Sequence, residues 1–539
     1  MPREPLYYAS YPKNEEFAEF LGDEAAETEI GASILTLEDA LNVAFRHSRD
    51  YQSRKEQLYL TALALTLDRH EFQPIFSGSV SAAHVWSSQD VSTGALITAV
   101  DTMAGAPGDL LRNYADVVEQ SGTLTRGVGG GGTEVDRTRS IEGQTSFGMD
   151  LLLRGGGRLA VNLTSNFFKF LSGPSQESAS SALTGSFVQP LLQGRGRDVN
   201  MEFLTQSERD VLYALRDFTQ FRMDFAVRVA SQYYGVLRAR DAARNNYLGL
   251  KSFELSLERE QAFQQEGLLT SADLARLLQS KLSRDLSWTN SVRAYKQNLD
   301  SFKILLGVPT DTAIVLDPAE LDVLKAKGSR VPTITADEAT EVALVSRLDL
   351  YNDRDTVEDA ERRIKVAANL LQPGLDLVLT GRVDTKDGNR FASFDFERSE
   401  WSAGAVLDLP LDRKAERNNY RRALIDYEVA LRNSSLAEDT VKLEVRNTLR
   451  DLLQAQKDYE INQISVELNE SRVEEEELRA ELGLGDIIDQ VDAQNDLTSA
   501  QTGLTNALVD QQIALLQFWS SLGILYVKED GMWEDVSDV

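Results

Sequence analysis

Two long stretches of the chain repeat apolar residues at steps of three and four, which is the spacing of one face of an α-helix. In the first stretch, about 195–265, Leu212, Leu215 and Phe218 show this spacing. The second stretch covers about 413–481. A helix of roughly 70 residues is about 105 Å long. Because helices of this length are rare in globular domains, the pattern predicts coiled-coil packing.

A second pattern alternates apolar and polar residues with a period of two, which is typical of β-strands. Leu375, Leu377 and Leu379 alternate in this way. Four strands are predicted, two in each half of the chain, at about 75–86, 183–192, 375–383 and 399–411. Four strands cannot close a barrel in a bilayer, where open edges are not tolerated, so several chains would have to share one barrel. The alternation is also typical of any sheet with one buried face.

The chain contains an internal repeat. Residues 35–74 align without gaps on 334–373, and 267–307 align on 483–523. Each half therefore predicts a helix, two strands, a long helix and a final helix. The resulting organisation is an N-terminal segment 1–33, a first repeat 34–307 with helices at 35–72 and 268–306, a linker 308–333, a second repeat 334–523 with a final helix at 486–521, and an acidic tail 524–539.

The first repeat is longer than the second. Pro74 and Pro190 are 116 residues apart, whereas Pro373 and Pro410 are 37 apart, so the first half carries 79 additional residues between its strands. This excess contains a glycine-rich stretch, 127–132, and then alternation over 147–163 that predicts a hairpin. The sequence leaves three roles open: a cap, a loop over a barrel mouth, or a strand extension of the barrel.

Composition excludes several classes of function. The chain has 85 acidic and 56 basic residues, a balance that argues against a general nucleic-acid binder. It has no cysteine and only three histidines, so a zinc enzyme, a His-based triad and an iron–sulfur cluster are not expected. We predict no cofactor and no metal. No apolar run is long enough for a transmembrane helix and no signal peptide is visible, which predicts either a cytosolic protein or a trimmed mature form.

The duplicated landmarks resemble those of the TolC-like outer-membrane efflux proteins. The resemblance covers about 34–525 and rests on strand pairs that end in Gln-Pro-Leu or Leu-Pro-Leu, on Gly-to-Asp turns at 267–273 and 483–489, and on Leu-Gly at the end of each repeat. It implies a mainly α-helical channel-tunnel, in which three chains form a twelve-stranded β-barrel in the outer membrane and a helical barrel in the periplasm.

The resemblance also implies a function. Such proteins are homotrimeric, passive exit ducts of tripartite efflux pumps or type I secretion systems, and they are not enzymes. A periplasmic adaptor and an inner-membrane pump would be the partners, the barrel would contact outer-membrane lipid, and the cell would be of the Gram-negative type. The termini and the linker 308–333 would form an equatorial domain.

The turn after the second long helix holds the main candidate site. Asp489, Asp492 and Asp496 are spaced i, i+3 and i+7, so they share one face of a helix. The resemblance places Asp489 and Asp492 at the periplasmic entrance, where three chains would form acidic rings that attract cations. The alternative is a solvated helix face with capping aspartates.

The turns themselves are candidate gating and docking sites. The resemblance implies a gating role for Asp273, although the positions of its expected Tyr and Arg partners hold Ala480 and Gly485. Arg479 and Arg276 are candidate substitutes. The alternative for Asp273 is an N-terminal helix cap that follows Ser271. Asp486 lies in the second turn. The residues expected to dock adaptor hairpins are Gly267, Leu268, Thr270, Gly483, Leu484 and Gly485.

Two other interpretations are compatible with the sequence. One is a soluble coiled-coil scaffold without a transport role. The other is an enzyme that uses the paired carboxylates of Asp489 and Asp492, although no apolar pocket pattern surrounds them.

Overall fold

The structure is a computed structural model that describes residues 11–90, 135–171, 177–265, 271–327, 332–386, 389–482 and 487–534. Two compact units make up the chain. The first, which we call the helical unit, comprises residues 1–67, 202–367 and 417–539. The second, the sheet unit, comprises 68–201 and 368–416.

Helices dominate the described residues. They are α1 (Asp23–Glu29), α2 (Leu37–His47), α3 (Arg49–His70), α4 (Arg197–Asn200), α5 (Glu202–Gln265), α6 (Ser271–Leu306), α7 (Ala319–Lys327), α8 (Ala336–Ser346), α9 (Leu348–Asn369), α10 (Lys414–Glu481) and α11 (Ile487–Ser521). The two long helices, α5 and α10, have 64 and 68 residues. No described helix is long and apolar enough to cross a membrane.

The repeat is visible in the details of helix capping. Thr36 caps α2, accepting a hydrogen bond from the backbone of Asp39, while the Asp39 carboxylate accepts one from the backbone of Thr36. Thr335 and Glu338 form the same capping box at the start of α8. These reciprocal bonds satisfy backbone donors that a helix start leaves open.

Each half also ends in the same way. Gly307 and Gly523 follow α6 and α11 with φ of +79° and +71°. A side chain on Gly307 would lie 2.0 Å from the carbonyl oxygen of His47 at the end of α2, and one on Gly523 would lie 3.2 Å from Arg347, just after α8. Both the backbone conformation and the space therefore require glycine. In each half, the residue that follows the last helix therefore contacts the end of the first helix.

The apolar core of the helical unit follows the repeat. Phe302 and Phe518, which align between the halves, are both fully buried. Phe302 packs in a large cluster with residues of α2 and α5, and Phe518 packs in a second cluster with Val445 and Leu452 of α10. The strands β1 (Ser33–Leu35) and β6 (Ile314–Leu316) form a small parallel pair that joins the N-terminal segment to the linker between the halves.

The sheet unit contains one antiparallel sheet, and its strand count corrects the sequence-based expectation of four. Among the described residues it has six strands in the order β2-β3-β4-β5-β7-β8. They are β2 (Ile75–Asp90), β3 (Val135–Leu152), β4 (Arg158–Phe170), β5 (Glu177–Pro190), β7 (Gly374–Asp384) and β8 (Glu400–Asp408). The two additional strands, β3 and β4, are the hairpin of the 79-residue excess. The glycine-rich stretch 127–132 lies outside the described residues.

The register gives this sheet one apolar and one polar face. Neighbouring positions along one row are Phe76, Met149, Val161, Gly185, Gly381 and Trp401. The adjacent row, on the other face, is Ser77, Gly148, Asn162, Thr184, Arg382 and Glu400. Since successive side chains of a strand point to opposite faces, these two adjacent rows carry the apolar–polar alternation across all six strands at this level of the sheet.

Candidate functional site

The candidate site lies in the helical unit, where α10 is followed by α11. Gly483, Leu484, Gly485 and Asp486 lie outside the described residues, as do Gly267, Leu268 and Thr270 of the other turn. Asp273 lies in α6, and its side chain is likewise outside the described part. The proposed roles of these residues in gating and docking therefore stay predictions.

The three aspartates of α11 are all exposed, but their surroundings differ. Asp496 accepts a hydrogen bond from Arg472 of α10, with a distance of 2.6 Å between Oδ2 and Nη1. Asp489 and Asp492 make no hydrogen bond or ion pair with the described residues. Two of the three carboxylates are thus available to solvent or to another chain, and the third is already paired.

The acidic run 474–477 is partly neutralised within its own helix. Arg479 forms ion pairs with Glu475 at 2.6 Å and with Glu476 at 3.1 Å. Glu476 is buried, with 8% of its surface exposed. Arg479, one candidate substitute for the missing arginine partner, therefore already has two carboxylate partners on α10.

A buried arginine that the sequence analysis did not identify lies beside these aspartates. Arg284 of α6 is 9% exposed and donates hydrogen bonds to the carbonyl oxygens of Gly249 in α5, at 3.3 Å, and Val491 in α11, at 3.4 Å. Its guanidinium lies 4.8 Å from the ring centroid of Phe253, a cation–π arrangement. Val491 lies between Asp489 and Asp492 in the sequence, so Arg284 attaches the start of α11 to α5 and α6.

Arg284 is buried and has no carboxylate partner among the described residues, which affects its pKa. No described acidic residue forms an ion pair with it, and its buried Nε has no hydrogen-bond partner. Burial disfavours the charged form and lowers the pKa of Arg284. Its charge is compensated by two carbonyl dipoles and one aromatic face, which is a weaker arrangement than an ion pair with a carboxylate.

Close helix packing supports the position of Arg284. A side chain on Gly249 would lie 2.8 Å from Oγ1 of Thr498 in α11 and 3.3 Å from Nη1 of Arg284. Glycine is therefore needed for α5 to approach α11 here. Phe253 and Leu277 form a small apolar cluster with Leu257, and a shallow cleft beside it is also lined by Glu477, Gln490 and Val491.

The exposed carboxylates at this site attract cations and repel anions. No group of three or more His, Asp or Glu residues that could hold a metal ion occurs in the described part of the chain. Asp489 and Asp492 contribute exposed carboxylates to this surface.

The duplicated helices, the capping of each half and the antiparallel sheet define the class: the fold is that of a TolC-like channel-tunnel chain. The resemblance found in the sequence is confirmed by comparison with known proteins. Residues 339–523 match the family model described as outer membrane efflux protein. This region covers most of the second repeat and includes Asp489, Asp492 and Asp496.

Curated relatives of the chain are outer membrane proteins of efflux pumps. The toluene efflux pump outer membrane protein TtgC of Pseudomonas putida is 23% identical over 303 residues, which cover 52% of this chain and 57% of the relative. The antibiotic efflux pump outer membrane protein ArpC of Pseudomonas putida matches to the same extent. The chain thus spans somewhat more than half the length of the curated relatives it matches.

Solved structures of outer-membrane channels share the fold over nearly the whole chain. The CmeC outer membrane channel of Campylobacter jejuni has a TM-score of 0.59 and 15% identity, covering 93% of this chain and 88% of that one. The outer membrane protein VceC of Vibrio cholerae has a TM-score of 0.59 and 14% identity, covering 90% and 96%. These proteins are outer membrane proteins and channels, not enzymes.

Proposed function

We propose that the chain is the subunit of a homotrimeric outer-membrane exit duct. The observation that carries this proposal is the two-faced sheet, whose apolar face suits lipid and whose polar face suits a water-filled interior. Among the described residues, β2 and β8 are the two unpaired edges of the sheet. Since a bilayer does not tolerate unpaired edges, sister chains must supply the missing strand partners.

The proposed location is the outer membrane of a Gram-negative-type cell, with the helical unit in the periplasm. A periplasmic adaptor and an inner-membrane pump deliver the substrate, which passes through without covalent chemistry. Two curated relatives are named as components of a toluene and an antibiotic efflux pump, which favours tripartite efflux over type I secretion. The glycine-containing turns at 267–270 and 483–486 are the proposed docking sites for the adaptor.

Gating is proposed to occur at an acidic entrance. Three copies of Asp489 and three of Asp492 form two rings of fixed negative charge, and such rings concentrate cations. Both carboxylates are exposed, which supports a role outside the packing of their own chain. Asp496 contributes less to these rings because Arg472 already offsets its charge.

Planar-bilayer recordings test the entrance. Replacing Asp489 and Asp492 with Asn removes the rings without changing side-chain size, so we expect lower cation selectivity and block by multivalent cations that is weaker by about tenfold, or about 1.4 kcal/mol. Asp451→Asn is the matched control, because Asp451 is an exposed aspartate of α10 far from the turn. Unchanged selectivity and unchanged block in the double variant would contradict the acidic entrance.

Cell fractionation with a measurement of oligomer mass tests the duct itself. We expect the full chain in the outer-membrane fraction as a trimer. Recovery as a monomer in the soluble fraction would instead support a coiled-coil scaffold and end the duct proposal.

A further inference from the structure

The hairpin β3–β4 is a full part of the larger sheet. All 16 residues of β2 pair with β3 rather than with β5. On its other side the hairpin pairs with β5, from Arg158 opposite Val188 to Lys169 opposite Glu177. The second repeat pairs β7 directly with β8. The hairpin therefore separates β2 and β5, the two strands that the sequence predicts for the first repeat.

The hairpin also continues both faces of the sheet. Its residues Phe147 and Leu163 are neighbours in a row with Gly78 and Leu183 on the apolar face. A shift of one residue would turn the apolar side chains of a strand to the polar face, so this agreement depends on the register. A cap or a loop over a barrel mouth would not need an apolar face in register with its neighbours.

The length of the hairpin is sufficient for a membrane. A transmembrane β-strand needs about 9–11 residues when it is tilted. The strands β3 and β4 have 18 and 13 residues, compared with 11 and 9 for β7 and β8. The inserted strands are thus long enough to span the same apolar layer as the strands of the second repeat.

From these observations we infer that each chain contributes six strands, not four, to the shared barrel, so that three copies close an eighteen-stranded barrel by pairing β8 of one chain with β2 of the next. This inference rests on the proposed trimeric duct. Every neighbouring pair in the sheet is antiparallel, and the hairpin adds two strands, so β2 and β8 still run in opposite directions. Two edges with this polarity complete an antiparallel barrel.

The consequence is a wider membrane pore. Barrel diameter grows roughly linearly with the number of strands, so eighteen strands give a pore about 1.5 times as wide as twelve, with about 2.2 times the cross-section. Barrels of this size leave an aqueous channel instead of a core filled with side chains. The proposed difference between this duct and a twelve-stranded one is therefore the width of its membrane end.

Introduced cysteines can report the strand neighbours, because the chain has no cysteine of its own. Three cross-strand pairs have hydroxyl oxygens within bonding distance: Ser79 and Ser146 at 2.7 Å, Ser165 and Ser181 at 2.7 Å, and Thr380 and Ser402 at 2.6 Å. The first two pairs report the β2–β3 and β4–β5 neighbours that the inference requires. The third reports β7–β8, which any version of the sheet contains, and is the matched control.

The experiment oxidises double-cysteine variants of the full chain in intact outer membranes and quantifies disulfides by peptide mass analysis. We expect Ser79→Cys/Ser146→Cys and Ser165→Cys/Ser181→Cys to cross-link as efficiently as Thr380→Cys/Ser402→Cys. A Ser79→Cys/Ala182→Cys variant tests direct pairing of β2 with β5. It should cross-link about tenfold less, because a disulfide needs Cα atoms within roughly 7 Å.

The outcomes separate this inference from the duct proposal. Efficient cross-linking of Ser79→Cys/Ala182→Cys would overturn the six-stranded contribution, and so would cross-linking of the β7–β8 control alone. Either result would still be compatible with a duct whose barrel has fewer strands. Native mass spectrometry of the same purified samples must give three chains, and any other number overturns the count of eighteen. Cross-linking does not depend on transport. If the expected cross-links form but the protein shows no conductance, the duct proposal is contradicted and the six-stranded contribution is not.

Discussion

Asp359 is the carboxylate whose removal should most weaken the contact between α5 and α9 in the helical unit. It is 2% exposed and accepts hydrogen bonds from Arg209 at 2.9 Å, Tyr213 at 2.7 Å and Gln206 at 3.1 Å, all of α5. Arg362 of α9 lies 2.9 Å away. Four donors thus converge on one buried carboxylate, and both arginines depend on it for part of their charge compensation.

The expected cost of Asp359→Ala follows from these contacts. Removing one partner of a buried ion pair typically costs about 3–5 kcal/mol, because the remaining charge stays buried. Arg209 retains Glu358 at 2.7 Å and Arg362 retains Glu202 at 2.9 Å. The lower end, about 3 kcal/mol, is therefore the expected loss for local opening of this contact, or about 100-fold in an equilibrium constant.

Amide hydrogen exchange measures this loss directly, since exchange from a folded chain reports local opening. Peptides covering 203–216 and 352–363 should exchange about 100-fold faster in Asp359→Ala than in the unmodified chain. Glu361→Gln is the matched control, because Glu361 pairs with Lys365 on the exposed surface of the same helix. Such surface pairs contribute about 1 kcal/mol at most. Equal protection in the two variants would refute the importance of the buried carboxylate.

Two further predictions concern the helical unit. Gly249→Ala should destabilise the contact of α5 with α11, because its new methyl group would lie 2.8 Å from Thr498. Gly235→Ala has nothing within 4 Å of its new methyl group, so it should stabilise the same helix by about 0.5–1 kcal/mol. Hydrogen exchange of α5 distinguishes them, and equal effects would contradict the close approach. Burial opposes the charged form of Asp349, but hydrogen bonds and charge from Arg347 outweigh it and lower the pKa of Asp349. A lowered folded-state pKa adds stability above roughly pH 4, and this stability is lost as the pH falls further. Asp349→Asn should therefore reduce the thermal stability at pH 7 and make the thermal stability depend less on acid pH. Circular dichroism at several pH values measures both effects. An unchanged acid dependence would contradict this role.

Much of the helical unit could be predicted from the sequence, because the signals are local. The period of apolar residues marks α5 and α10, and Thr36 and Thr335 mark the helix starts at equivalent positions of the repeat. The Leu-Gly ends mark Gly307 and Gly523, whose positive φ values only glycine adopts easily.

The strand count could not be predicted because it depends on pairing between distant segments. Alternation over 147–163 correctly indicates a hairpin, but alternation alone does not say which strand lies beside it. The answer depends on β3 pairing with β2 across 44 residues that the structure does not describe, 91–134. A cap, a loop and a strand extension are therefore all compatible with the sequence.

The candidate site was predicted in part. The helical spacing of Asp489, Asp492 and Asp496 is visible in the sequence, but the partner of Asp496, Arg472, lies 24 residues away on another helix. Arg284 was missed, although it follows the buried Leu277 by seven residues, a spacing that places both side chains on one face of α6. Its partners are backbone carbonyls, which no sequence motif encodes.

In the proposed barrel, the hairpin β3–β4 allows the number of strands to change in steps of two per chain. An antiparallel hairpin inserted between two strands leaves the direction of both outer strands as it was. A variant with one hairpin more or fewer should therefore keep the antiparallel order of the remaining strands.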